Sequence, residues 1–402
     1  MKRMSSSALR VPILSWCPNI EAGALKQAVT TARLPFAVQH IALMPDAHFG
    51  YGVPIGGVIA TSGVVIISAV GVDIGCGMIA LNTQIPASEM STDKLKAILG
   101  SIRNKVPTGF NHNATKCDTK LMPDYMVGPG LYPVISQEFE SARYQLSSMG
   151  GNNHFIEIQK GSDGNIWAMI HSGSRNLGKR VCDYHSYIAQ QLNARWHSAV
   201  GPKAELPFLP LDSDEGQRYM EEMNYCVAFA FQNRQQMMLR VMESFAEAGF
   251  AIEAKEGMLV NVHHNFAQME NHFGRNLMVH RKGATRAYEG EIGIIPGSQG
   301  TASYIVKGKG NVMSFKSCSH GAGRCMSRNK AESSLDLSAE IKKLEDQGII
   351  HSIRGKSDLA ESAGSYKSIE EVMANQADLV EGLVKLQPLA VIKASSDKRR
   401  RK

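Results

Sequence analysis

The 402 residues carry 43% hydrophobic and 20% charged side chains, a balance that excludes a disordered chain and allows one large domain or two modest ones. The formal net charge is +7, which suits a polyanionic partner, although part of the excess sits in the run Lys398 to Lys402, read as a solvated tail. Seven scattered cysteines exclude a dense disulfide scaffold, and neither a signal-peptide core nor a membrane-length apolar run is visible, so a cytoplasmic protein is expected.

In chain order, runs rich in Val and Ile predict strands at Gly57 to Ala60, Val64 to Val72, Phe155 to Ile158, Ile166 to Ile170, Met258 to Val262 and Ile292 to Ile295. Helical patterns fall at Thr92 to Lys105, Arg180 to Arg195, Glu215 to Ala248 and Ile369 to Leu386, with Ser91 and Ser368 as N-caps. Met220, Met223, Met237 and Met238 lie in the longest helix and read as core. Stretches from Gly109 to Gly130 and from Ser198 to Asp214 read as loop insertions. The mixed order predicts an α+β fold. No linker divides the chain, and chemically suggestive residues run from Asp46 to Lys393, which favours one integrated domain.

The segment from Val70 to Met78 (VGVDIGCGM) sets Asp73 and Cys76 three residues apart among glycines, so both can turn toward one ion. Alone it reads better as a turn-forming aspartate beside a buried cysteine. His154, His171 and His264, each at one end of a predicted strand, tip the reading toward a metal centre. The donors fit Mn²⁺, Zn²⁺ or Fe²⁺ and do not choose among them. Adjacent strand side chains point to opposite faces, so only one of His263 and His264 is expected to be a ligand. In Ser317 to Arg324 (SCSHGAGR), small residues leave His320 approachable as a nucleophile, and Arg324 offers a planar fork for phosphate oxygens; on this segment alone a plain loop histidine in a glycine turn reads equally well. The pieces His171 to Arg175, His280 to Gly283 and Pro296 to Ser303 can cradle anions or make ordinary turns. A G-x-x-x-x-G-K-[ST] loop and a K-x-D-G motif are both absent.

Taken in order, Met44 to Gly50 (MPDAHFG), Gly71 to Gly77 (GVDIGCG), Asn153 to Glu157 (NHFIE), His171 to Arg175 (HSGSR), His264-Asn265 and Ser319 to Arg324 (SHGAGR) resemble the RtcB family of RNA ligases. The resemblance implies a single RtcB-like domain over residues 1–394, with mixed β-sheets and surrounding helices, and a basic disordered tail at 395–402. It implies joining of 3′-phosphate or 2′,3′-cyclic phosphate RNA ends to 5′-hydroxyl ends, with GTP and two Mn²⁺ ions, in tRNA splicing or RNA repair. Asp73, Cys76, His154, His171 and His264 would hold the ions, Cys76 bridging them, and His320 would carry GMP. Asn153, Glu157, Ser298, Ser303, Tyr366, Lys393 and Arg324 would meet the nucleotide or its phosphates. Asp46 and His48 would act beside the metal or the RNA end. Arg175, Arg281 and Lys282 would also suit incoming phosphates. Asn152 departs from the glycine usual before N-H-F. A monomer is expected, and the need for an accessory protein is open. Two other function classes compete: a metal-dependent phosphoesterase or nuclease, which leaves His320 without a task, and a non-catalytic RNA-binding protein, which leaves the metal donors without one.

Overall fold

The computed structural model describes residues 1–124, 132–253 and 255–394; the basic tail lies outside the described residues, as does part of the Gly109 to Gly130 stretch. The architecture is α+β. A six-stranded sheet runs, in spatial order, Lys2–Met4, Ile13–Ser15, Ala37–His48, Ile55–Thr61, Arg275–Lys282 and Asn265–His272, with one parallel pairing, Ile13–Ser15 on Ala37–His48. A seven-stranded antiparallel sheet runs Leu259–His263, Gly77–Pro86, Asn165–Ser172, Phe155–Gly161, Val380–Ile392, Ser303–Gly308 and Ile292–Ile295. Leu259–His263 belongs to the second sheet and Asn265–His272 to the first, so the chain passes from one sheet to the other here across His264 alone.

Strand alternation sorts the seven-stranded sheet into two faces. Ile79, Leu81, Ile156, Ile158, Ile166, Ala168 and Ile170 form one core with Ile98, Leu99 and Ile102 of the helix Thr92–Lys105 and with Met237, Met238, Val241 and Phe245 of the helix Asp214–Glu247. The intervening residues face the other way. His171 stands opposite Phe155 and Met78 in register, Glu157 opposite Met169, and Gln159 opposite Trp167. The polar residues thus fall on the face away from the helix-packed core.

Ser91 and Ser368 cap their helices, accepting from the Lys94 and Glu371 amides, and Met223, Met237 and Met238 are buried, with Met220 packed against the core that holds Met223. Three expectations change. The helix expected over Ile369 to Leu386 ends at Asn375, and Val380–Ile392 is a thirteen-residue strand. Its β-branched residues, Gly382 and the donor-less Pro388 oppose a helix, and Leu386, Pro388 and Ala390 are buried while Gln387 and Leu389 between them are less so. The strand expected over Val64 to Val72 stops at Ile66 and tightens into a 3₁₀ turn at Ile67–Ala69, where the Val70 and Gly71 amides both donate to Ile67 O. Within the presumed loop Ser198 to Asp214, Phe208–Pro210 pairs with Val64–Ile66. Among the described residues no helix is long and apolar enough to cross a membrane.

Candidate metal and nucleophile site

Cys76 is the common point of two donor groups, Asp73–Cys76–His154 and Cys76–His171–His264, within each of which the donor atoms lie within 4.8 Å of one another. Cys76 Sγ is 3.3 Å from His154 Nε2 and 3.2 Å from His171 Nε2, and His154 Nε2 is 3.0 Å from Asp73 Oδ2. A turn presents the thiol, with the Cys76 amide donating to Asp73 O at 3.1 Å. Asn265 fixes that turn, donating through Nδ2 to Asp73 O at 3.0 Å and accepting from the Gly283 amide at 2.8 Å. The approach of Ser172-Gly173 needs the glycine: a Cβ on Gly173 would lie 2.2 Å from Asp73 Oδ1.

The donors are set for a cation. Burial first, and neighbouring imidazoles second, hold His171 and His264 well below the usual imidazole range, so both keep lone pairs. His171 Nδ1 lies 3.2 Å from Asn153 O; a carbonyl only accepts, so Nδ1 carries the hydrogen and Nε2 faces Cys76 free. Asp73 Oδ1, His154 Nδ1 and His264 Nδ1 are buried without partners in the protein. Burial pushes the Cys76 thiol well up, and the Asp73 carboxylate adds to this; an adjacent cation supplies what a thiolate needs here. A thiol, imidazoles and a carboxylate with orphaned atoms fit a transition-metal site, and two groups sharing one sulfur fit a pair of ions. His263 is excluded from both groups; its ring meets Phe266 edge-on at 4.5 Å.

His320 adjoins this cluster, its ring 4.9 Å from that of His264. Asp46, at the buried end of Ala37–His48, holds it: Asp46 Oδ2 is 2.6 Å from His320 Nδ1 and accepts the His320 amide at 3.1 Å. Nδ1 therefore carries the hydrogen, and Nε2 keeps the lone pair. Gly323, at φ +72°, lets the turn close on Asp46, since a Cβ there would lie 2.2 Å from Asp46 O. His48 bonds back to Asp46 O at 2.9 Å, and burial lowers it to about 4.

The expected nucleotide residues form a neighbouring group. Glu157 is buried and raised to about 8 by burial, with Gln159 Nε2 donating to it at 2.7 Å and to Ser303 Oγ at 3.1 Å. Ser303 also accepts the Gly297 amide at 3.2 Å, while Ser298 pairs with Thr301 at 2.9 Å. Glu361, which the sequence reading passed over, gathers Tyr366 through its hydroxyl, Lys393 at 3.5 Å, Arg328 at 3.1 Å and Arg324 at 3.4 Å. Arg324 spends further donors on the Ala360 and Met326 carbonyls and stacks its guanidinium 5.3 Å from the Tyr366 ring, leaving Nη2 without a partner. Arg281 does not serve incoming phosphate: it is fully buried, and Glu270, Ser317 Oγ and Phe315 O take its donors. Arg234 was also passed over; this buried arginine of the long helix ties Gly75 O to Ser172 O at 2.9 and 3.1 Å. Its only signal in the sequence is a cation on an apolar helical stripe.

Asn152 has φ +57°, a left-handed conformation that asparagine tolerates better than most residues. Asparagine therefore fits this left-handed position.

The family model described as "tRNA-splicing ligase RtcB" matches residues 27–127 and 124–394. The chain is 35% identical to the "RNA-splicing ligase RtcB" of Escherichia coli (strain K12) over 407 residues, covering 95% of this chain and 97% of that protein. It is 31% identical to the "tRNA-splicing ligase RtcB" of Methanococcus maripaludis, covering 93% and 92% of the two chains. With the "RNA-splicing ligase RtcB" of Mycobacterium tuberculosis the identity is 30%, over 91% of this chain and all of that one. Matches of this extent, on a chain that joins the thiol, the imidazoles and His320 in one site, mean that it belongs to the RtcB family of RNA ligases.

Proposed function

We propose that the protein joins RNA 3′-phosphate or 2′,3′-cyclic phosphate ends to 5′-hydroxyl ends, using GTP and Mn²⁺ through guanylylated His320. The observation that carries this reading is the held His320 ring, its Nδ1 on Asp46 and the ring 4.9 Å from that of His264 of the donor cluster, in a T-shaped contact. Asp73, Cys76, His154, His171 and His264 would hold two manganese ions, which when bound neutralise phosphate charge and polarise the phosphoryl oxygens.

His320 Nε2 attacks the α-phosphorus of GTP; the N–P bond forms, the α–β bridging P–O bond breaks, and pyrophosphate leaves. Asp46 stabilises the positive charge that develops on the ring. An oxygen of the RNA 3′-phosphate then attacks the same phosphorus, and the N–P electron pair returns to His320. The 5′-hydroxyl attacks the activated 3′-phosphorus, loses its proton and expels GMP, so the junction phosphate derives from the 3′ fragment. A cyclic end is first opened by water. Glu157, Tyr366 and Lys393 would meet guanine, with Asn153, Ser298 and Ser303 beside the nucleotide and Arg324 Nη2 toward phosphate. All seven cysteines are unpaired, which supports a reducing compartment.

Incubation with labelled GTP and Mn²⁺ followed by denaturing electrophoresis tests the reading. An acid-labile, base-stable adduct that disappears in His320→Ala is expected. Failure of the wild-type protein to label returns the choice to a phosphoesterase, nuclease or passive RNA binder. Labelling the 3′-terminal phosphate and digesting the joined product tests polarity; loss of that label during joining overturns the order of steps.

A further inference from the structure

The segment that follows Asp46 carries two exposed aromatic residues that the chemistry above does not use. Phe49 is 58% exposed and Tyr51 51% exposed. Exposed aromatics two residues apart beside a site make an apolar patch of the kind that marks a contact surface, and this backbone is clamped at several points. The Phe49 amide donates to Glu21 Oε1 at 2.5 Å, Gly50 exchanges hydrogen bonds with Gln27 at 2.6 and 3.1 Å, and the Gly52 amide donates to Glu205 Oε2 at 3.3 Å. The Phe49 ring is backed by Gly23, where a Cβ would meet its Cδ2 at 2.8 Å. One side of the ring thus rests on backbone while more than half of the residue faces water.

Lys282 ties this segment to the reacting groups. Its Nζ donates to Tyr51 O at 2.5 Å, and its stem lies 3.4 Å from the Cβ position of Gly71, two residues before Asp73. The next residue, Gly283, has its Cβ position 3.1 Å from His320 Cε1. Between Gly71 and Asp73, Val72 is also 56% exposed. Phe49, Tyr51 and Val72 thus form a rim that Lys282 and Gly283 link to the turn carrying Asp73 and to His320.

We propose that Phe49 and Tyr51 form a stacking platform for the terminal base of the RNA strand whose 3′-phosphate reaches His320. The inference rests on the proposed RNA-joining reaction, which brings an unpaired strand end to this rim. A base presents a flat π-face whatever its identity, and a ring already held by backbone contacts loses little freedom when a base stacks on it. Such a platform grips an end without reading its sequence, and Val72 adds an apolar edge.

The test measures binding of short single-stranded RNAs ending in 3′-phosphate, without GTP, so it does not depend on guanylylation. Each RNA is made with a normal terminal nucleotide and with an abasic one. The wild-type protein is expected to bind the normal end about tenfold more tightly than the abasic end. Phe49→Ala and Tyr51→Ala should bind the two ends nearly equally, while Phe49→Trp and Tyr51→Phe should keep the preference; thermal unfolding checks that each variant is folded. The proposal is overturned if folded alanine variants retain the wild-type preference, if the wild-type protein has none, or if the preference appears only with strands ending in 5′-hydroxyl. Absence of a His320 adduct in the separate GTP assay would instead count against the proposed reaction.

Discussion

Asp46 and His320, 274 residues apart, act as one unit: a single carboxylate oxygen lies 2.6 Å from the ring Nδ1 and accepts the backbone amide of the same histidine at 3.1 Å. That pairing fixes both the tautomer and the direction of Nε2. Asp46→Asn replaces an acceptor by a group that can offer N–H to the ring, which favours the tautomer whose proton sits on Nε2. Transfer of GMP to His320 in a single turnover should fall by roughly 10²–10⁴-fold with little loss of stability. A rate within a factor of three of wild type would mean that Asp46 does not set the nucleophile.

Metal removal should be visible without any activity assay. An ion bound only by the native donors adds stability by mass action, about 2.7 kcal/mol at a hundredfold excess over its dissociation constant. Chelator treatment should lower the melting temperature and Mn²⁺ should restore it. Cys76 belongs to both donor groups, so Cys76→Ala should abolish the Mn²⁺-dependent rise and lower manganese content measured by mass spectrometry. Normal metal occupancy in that variant would place the ions elsewhere.

Arg281 and Glu270 are both buried, and Glu270 also holds His272 at 2.8 Å. Removing the acid strands a guanidinium in the core. Glu270→Ala should cost about 3–5 kcal/mol, read from the denaturation midpoint. A change under about 1 kcal/mol would show that water or another acceptor satisfies Arg281.

The candidate donor cluster and the neighbouring His320 stand out in the sequence because thiol, imidazole and glycine at strand ends are chemically conspicuous. The short strands around Glu157 and His171 were legible for a different reason, their concentration of Ile and Val. Ala37–His48 was missed: both its faces are buried, so it lacks alternation, and Gln39 at φ +64° breaks its register before Ile41. The first half of Val380–Ile392, up to Leu386, reads as a continuation of the helix from Ile369 because Leu383 and Leu386 mimic helical spacing, while the pairing that decides the matter involves Ile156 to Gly161 and Ser303 to Gly308, far away in sequence. The Asp46–His320 pairing and the convergence on Glu361 are likewise products of tertiary contact, which one-dimensional patterns do not encode.

Asn152 offers a test of backbone rather than side chain, since its side chain is exposed and its carbonyl accepts Lys393 Nζ at 3.4 Å. Asn152→Gly should change stability by less than about 0.5 kcal/mol, whereas Asn152→Val should cost about 1–2 kcal/mol, because a β-branched residue resists the left-handed region. Denaturant midpoints distinguish the two. Equal midpoints for the Gly and Val variants would indicate that the turn relaxes freely.

Glu157 gives the protein a defined pH dependence. Burial raises its carboxyl from the ordinary 4.5 to about 8, against the opposing charge of Lys393 and the hydrogen bond from Gln159. Between those values the folded chain holds a proton that the unfolded chain has released. The contribution of Glu157 to stability is therefore complete below pH 4.5, declines above it and is lost as pH rises through about 8. The melting temperature of the nucleotide-free protein should fall from pH 6 to pH 8 more steeply than that of Glu157→Gln, which carries no titrating group at this position. Guanine bound as proposed would reverse the preference: it offers N–H donors, and an ionised carboxylate accepts from them whereas a protonated one competes to donate. The stabilisation conferred by GTP should grow over the same interval in the wild-type protein and stay flat in Glu157→Gln. Parallel slopes in the two proteins would remove Glu157 as the titrating group, and a GTP effect that weakens toward pH 8 would remove it from the guanine site.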